Sequence, residues 1–443
     1  MEILEKAQRM LTEHSLCNHC LGRQFAFLGH NIENKSRGIA IKLLLTMKGH
    51  HLLLTRKAAG VDLLRIVASH GDFAMARKIL KRFKRRAKAQ KTCFLCEGHF
   101  EQTGALAEAA TEKVAKYEFT TFLVGIEIPL GAAEREDEFK AQFNVGYGES
   151  MRSQFSRDIG KQFSEMTQKE VSYRKPDIVV LVNPFANRIK TQINPLYVAG
   201  RYRKLVRGIP QSRWLCRECN GKGCKRCNGT GKKYQESVEE LIGIPMLKTT
   251  QGKEMAFHGA GREDVDARML GSGRPFVLEV KKPAKRSIDL QKLEKKINES
   301  ADGKIKVHKL RFGDKDVVRR CKKSEAAQKL YRVDIEFSRV VSDEELKRIE
   351  RLLCNATVHQ QTPQRILHRR ADLTREKHIY MAKVKRLSSR RARMEVSCQG
   401  GLYIKELITG DKGRTKPSVA SILDSEASPL QLDVLKVVAG EEK

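Results

Sequence analysis

The chain has 443 residues and 40% hydrophobic composition, enough for about two to four folded domains and against extended disorder. Lys and Arg number 86 against 53 Asp and Glu, a formal net charge of +33, which points to a polyanionic partner such as RNA, DNA or an anionic membrane. No stretch approaches the roughly 20 apolar residues of a membrane-spanning helix, and the N-terminus, with Glu2, Glu5 and Lys6, lacks a signal peptide's apolar core, so neither membrane insertion nor export is expected.

Residues 1–105 are expected to form a metal-bearing region around two cysteine pairs, Cys17-x-x-Cys20 and Cys93-x-x-Cys96. Four thiolates in two pairs suit a tetrahedral zinc ion, and thiols spaced for a metal rather than for disulfides point to a reducing cytoplasm. The pairs stand far apart in sequence, so the alternative is two redox or merely buried Cys-x-x-Cys turns. Helices are predicted over Gly38 to Leu54 and Leu63 to Lys88. The second carries a basic run, Arg77-Lys78, Lys81-Arg82, Lys84-Arg85-Arg86 and Lys88, whose interleaved Ile79, Leu80 and Phe83 suit a phosphate-contacting helix or a solvated basic face.

Residues 106–210 change to an α+β pattern. Thr120 to Pro129 and Asp177 to Val182 read as strands and Glu149 to Phe163 as an amphipathic helix. The stretch Gln192 to Pro210 mixes cations with Tyr197 and Tyr202, as a phosphate-and-base contact surface would. Residues 211–235 are a cysteine-rich island with Cys216, Cys219, Cys224 and Cys227 between glycines, either a second zinc site or a glycine-rich basic loop with free thiols. It also resembles one short copy of the cysteine-rich module of a class of co-chaperones.

Residues 236–443 should be a catalytic domain. Strands are predicted at Phe276 to Val280, Ile305 to Leu310, Tyr331 to Phe337, Ile379 to Val384, Met394 to Cys398 and Tyr403 to Leu407. Helices fall at Ser287 to Ile297 and Asp343 to Leu353, and this spacing argues for an α+β fold with a mixed, largely antiparallel sheet.

The chemistry concentrates at Gly261-Arg262-Glu263-Asp264-Val265-Asp266-Ala267-Arg268, a glycine-flanked turn with acids between two arginines, followed by an expected loop Gly271-Ser272-Gly273-Arg274-Pro275. Cations beside a carboxylate favour its charged form, which can act as nucleophile or acid/base. The plainer alternative is a solvated turn in which Asp264 pairs with Arg262 or Arg268. Further along lie Tyr331-Arg332-Val333-Asp334-Ile335 and Gly401-Leu402-Tyr403-Ile404-Lys405-Glu406-Leu407, which add two aromatics able to stack on a base and a lysine able to neutralise an acid.

In this order, these three segments resemble the motifs of the pseudouridine synthases. With Gly259-Ala260-Gly261, Thr362-Pro363, His368-Arg369-Arg370 and Gly410-Asp411-Lys412-Gly413-Arg414-Thr415-Lys416-Pro417, the chain is similar to the archaeal tRNA pseudouridine synthases that modify uridines 54 and 55. The resemblance implies a THUMP-like RNA-binding domain over 106–210, structural zinc, no organic cofactor and tRNA as partner. It implies Asp264 as the catalytic carboxylate, with Tyr331 stacking on the uracil, Lys405 as the ionic partner of Asp264, Tyr403 in the pocket and Leu423 closing its apolar wall. Arg262 would fill the gap left by an extracted uridine. Tyr331 and Leu423 could equally be packing residues, and Asp266 is a rival carboxylate. Two other readings are a non-catalytic zinc-dependent tRNA-binding protein or RNA chaperone, and a methyltransferase. Against the latter, no strand leads into a glycine-rich cofactor loop.

Overall fold

A computed structural model of the chain describes residues 3–323 and 327–438, apart from the side chain of Arg369. The chain divides into two compact units, 1–194 and 195–443.

In the first unit, helices Ile3–Glu13, Asn34–Leu54, Ala59–Ser69 and Ala74–Arg82 precede a four-stranded sheet. Its strands are β1 (Thr121–Ile126), β2 (Glu170–Val171), β3 (Ile178–Asn183) and β4 (Arg188–Ile193), in the order β2-β1-β3-β4. The alternation of Phe122, Val124 and Ile126 puts every second side chain of β1 in the core. The same apolar core takes in Met10, Leu45 and Leu64 of the helical part and Phe163 and Val180 of the sheet part. The expected helix from Leu63 to Lys88 is two shorter ones. Gly71 and Asp72, the latter at φ +49, break it. After Arg82 the chain turns at Lys84 (φ +53), so Arg77, Lys78, Lys81 and Arg82 of the basic run lie on the helix and Lys84, Arg85, Arg86 and Lys88 beyond it.

The second unit is built on a ten-stranded sheet, ordered β13-β10-β11-β12-β9-β14-β7-β5-β8, with β6 on β7. The strands are β5 (Leu196–Lys204), β6 (Glu254–Gly259), β7 (Arg268–Lys281), β8 (Ile305–Gly313), β9 (Lys329–Phe337) and β10 (Thr357–Gln361). They continue with β11 (Thr374–Ser388), β12 (Arg391–Cys398), β13 (Thr415–Lys416) and β14 (Ala427–Val437). Among the described residues, β14 with β7 is the parallel pair of this sheet and the other ladders are antiparallel. Helices Val238–Thr250, Leu290–Ser300 and Asp343–Leu353 cover it, the last opened by a capping box between Ser342 and Glu345. The architecture is α+β with a largely antiparallel sheet, as the spacing of elements predicts.

Three expectations are corrected. Leu196–Lys204, read as the tail of the RNA-binding domain, is a strand between β7 and β8 of the second unit's sheet, where Val198 and Tyr202 are fully buried. The stretch Gly271 to Pro275 is not a loop but the middle of the fourteen-residue β7. Gly271 and Gly273 take φ of +54 and +73 there, and a Cβ on Gly271 would meet the Leu435 carbonyl oxygen at 1.9 Å, so glycine lets β14 approach. Finally, Tyr403 to Leu407 is not a strand. After the turn at Gly401 (φ +94), Ile404–Thr409 coils into a short helix ended by Gly410 (φ +77). Ile404, Leu407 and Ile408 bury on one side, and tertiary packing overrides the β-branched pattern.

Candidate active site and cysteine clusters

The turn joining β6 to β7 carries two successive acids of different burial, Glu263 sealed in and Asp264 half-exposed. Glu263 faces inward: its carboxylate accepts from Tyr202 Oη at 2.9 and 3.0 Å and from Arg274 Nε at 2.8 Å, with the two charged side chains 0% and 1% exposed. Arg274 also donates to the Ala260 carbonyl at 2.7 Å, and Gln211 Nε2 donates to Tyr202 Oη and the Gly261 carbonyl at 2.8 and 3.0 Å. Burial pushes the Tyr202 phenol well up, so it stays protonated and can donate to Glu263. Lys204 Nζ, buried beneath, donates to the carbonyls of Ile209, Asp264 and Val265 at 2.9–3.1 Å. These bonds hold the backbone of the turn that carries Asp264.

Asp264 lines a cavity of about 510 Å³. Its Oδ2 lies 3.3 Å from Lys405 Nζ and 3.4 Å from Arg365 Nη2, and its side chain is 38% exposed. Lys405 also binds Asp266 at 2.6 and 2.8 Å. Burial pushes the Asp266 carboxyl up, but the bond and charge of Lys405 outweigh it and hold the group below the usual carboxylate range. The arginines of the turn are not the partners of Asp264. Arg268 pairs with Asp433 at 2.8 and 3.0 Å, and Arg262 lies 6.0 Å from the centre of the Trp214 ring.

Tyr331, from β9, and Tyr403 line the same cavity. Burial pushes the Tyr331 phenol well above its usual value, so the ring is neutral. Tyr403 is anchored through its backbone, its N–H donating to Gln360 Oε1 at 2.8 Å and its carbonyl accepting from Gln360 Nε2 at 3.0 Å. Leu423 is elsewhere: it is buried in the core on the helix Val419–Leu423, and the apolar wall comes instead from Ile366, Leu402, Leu432 and Val434. Lys329, Arg370, Arg375 and Lys377 give the cavity a basic lining.

Sequence reasoning missed Arg365. It donates through Nε to the buried Glu406 at 2.7 Å and sits 6.0 Å from the Tyr403 ring centre, so it ties acid, aromatic and helix together. It lies inside the Thr362 to Arg370 segment, a signal that gave no role. Glu263 and Arg274 were equally silent, being distant in sequence.

Both cysteine sets converge. Cys17, Cys20, Cys93 and Cys96 have all Sγ atoms within 4.8 Å of one another, as do Cys216, Cys219, Cys224 and Cys227. The bonded sulfur pairs lie 3.6–3.8 Å apart, against an edge of about 3.8 Å for a sulfur tetrahedron with metal–sulfur bonds of about 2.3 Å. Backbone N–H groups of Cys20, Gly223, Cys224 and Gly231 donate to these sulfurs at 3.2–3.3 Å. Both sets fit a metal ion. No helix among the described residues is long and apolar enough to cross a membrane.

A basic cavity lined by Asp264, two tyrosine rings and several lysines and arginines suits a nucleotide. Residues 197–438 match the family model described as "Pus10, C-terminal", and residues 106–183 match the "Pus10 THUMP domain, archaeal". The chain is 43% identical over 448 residues to the tRNA pseudouridine synthase Pus10 of Methanocaldococcus jannaschii, covering 99% of this chain and 94% of that protein. It is 40% identical over 439 residues to the Pus10 of Methanothrix thermoacetophila (98% and 94% covered) and 38% over 436 residues to that of Thermofilum pendens (98% and 95%). These relationships make the chain a pseudouridine synthase. It belongs to the Pus10 family of tRNA pseudouridine synthases.

Proposed function

We propose that the chain acts on tRNA, isomerising uridines 54 and 55 of the TΨC loop to pseudouridine, with Asp264 as the catalytic carboxylate. The observation that carries this reading is the position of Asp264 in the basic cavity, between Lys405 and Arg365 and lining the same space as Tyr331 and Tyr403.

The reaction breaks the C1′–N1 bond, turns the freed uracil and joins C1′ to C5. A proton leaves C5 and N1 gains one, so no oxidant, reductant or external energy source is required. Asp264 serves either as a nucleophile, forming a covalent adduct with sugar or base, or as a base that removes a sugar proton to give a glycal. Tyr331 stacks on the uracil and, with Tyr403, confines it while it turns. Lys405 and Arg365 orient the carboxylate. Arg262 occupies the space vacated in the tRNA when the uridine leaves its stack. Leu432 and Val434 take the apolar role that the resemblance assigned to Leu423. Each cysteine set holds a structural zinc ion, and metal-bound thiolates suit a reducing cytoplasm.

The test is pseudouridine mapping in unmodified tRNA exposed to the purified chain, with tritium release from C5-labelled uridine as the rate. Asp264→Ala should abolish product while leaving tRNA affinity nearly unchanged, and Asp266→Ala should retain part of the rate. Full activity in Asp264→Ala overturns the assignment.

A further inference from the structure

We infer that Trp214, set by the second cysteine cluster, is the stacking platform for a nucleobase next to the target uridine, in a second pocket that shares Asp264. This rests on the reading of Asp264 given above.

A smaller cavity of about 190 Å³ adjoins the turn, lined by Trp214, Pro210, Gln211 and the residues Arg262, Asp264 and Lys405. Arg262, Glu263, Asp264, Arg365 and Lys405 line both cavities, so the two spaces adjoin at the turn that carries Asp264. A uridine drawn into the large cavity leaves its chain neighbour unstacked within one backbone step. Single-stranded bases taken out of a helix are held by aromatic rings and guanidinium planes. The small pocket offers both, because Arg262 lies 6.0 Å from the Trp214 ring centre. Lys233 Nζ stands 5.2 Å from the same ring, and Tyr234 meets it edge-on at 5.5 Å, which fixes its orientation and adds positive charge for a phosphate.

The cysteine cluster explains how a loop residue is held so firmly. Leu215 bridges Lys232, the Lys233 N–H donates to the Trp214 carbonyl at 2.9 Å, and the Cys216 N–H donates to the Gly231 carbonyl at 2.8 Å. Trp214 and Lys233 therefore sit on the two arms of a hairpin that the four sulfurs close at its tip.

Trp214 is the chain's one tryptophan, so its fluorescence reports this pocket directly. Titrating unmodified tRNA transcript into the full-length protein should quench the emission saturably, and an abasic nucleotide on one side of the target uridine should remove most of the quench. Trp214→Ala should raise KM for tRNA by about tenfold, with kcat within about twofold and unfolding temperature and zinc content unchanged, and Trp214→Phe should recover most of the loss. Emission that stays constant while filter binding shows saturation overturns the proposal. So does quenching that ignores both abasic substitutions, or an unchanged KM in Trp214→Ala. Wild-type protein that binds tRNA but forms no pseudouridine would instead sink the function proposed above.

Discussion

The two four-cysteine clusters share their geometry and differ in what they close. Cys17, Cys20, Cys93 and Cys96 join segments far apart in sequence within one apolar core, where Cys20, Cys93 and Cys96 are buried beside Leu21 and Leu95. Cys216, Cys219, Cys224 and Cys227 close a short, glycine-rich hairpin between β5 and the helix Val238–Thr250, and Cys219 and Cys224 are only partly buried. A metal in the first cluster therefore supports a whole unit, and one in the second supports a loop. The same ligand set is a foundation in one place and a local clamp in the other.

The largest effect should come from breaking the first cluster. Cys96→Ser forfeits binding free energy on the order of 10 kcal/mol that is coupled to folding, so the first unit should lose its cooperative unfolding transition in calorimetry. Cys227→Ser should leave the melting of the second unit within a few degrees of wild type; equal losses in the two variants would erase the contrast. In the second unit, breaking the buried ion pair should matter more than breaking this cluster. Glu263→Ala strands Arg274 in the core and should cost about 3–5 kcal/mol in denaturant unfolding, more than Cys227→Ser.

A smaller effect should appear with pH. Burial pushes the Asp433 carboxyl up, and Arg268 and Arg207 outweigh this and leave it below the usual carboxylate range. Its contribution to stability is complete above the unfolded value of about 4 and is lost as pH falls through the lower folded value. Asp433→Asn should therefore flatten the acid limb of stability against pH while leaving metal content unchanged. Smallest should be Asp266→Ala on stability, because that side chain is 66% exposed and a pair of this kind contributes roughly 0–1 kcal/mol.

Much of this was legible in the sequence, and the failures are instructive. Metal-ligand spacing marks both clusters because Cys-x-x-Cys is a local constraint. The largely antiparallel sheet follows from strand and helix runs whose spacing is mostly not that of strand–helix–strand crossovers. The turn from Gly261 to Arg268 was legible as a motif, whereas its support was not, since Glu263 meets Tyr202 and Arg274 only through tertiary folding. Leu423 and Leu432 illustrate the same limit: each is an apolar residue near the end of the chain, and only the path of β14 decides that Leu432 lines the cavity. The helix at Ile404–Thr409 was misread because its β-branched residues are set by burial and not by strand pairing.

Glu263, the buried acid of the turn from Gly261 to Arg268, also constrains how such a protein can change. Either partner of Glu263 and Arg274, altered by itself, passes through a state with a lone charge sealed in the interior. The two positions are thus free to drift only together, and the spacing between the turn and the middle of β7 is locked along with them.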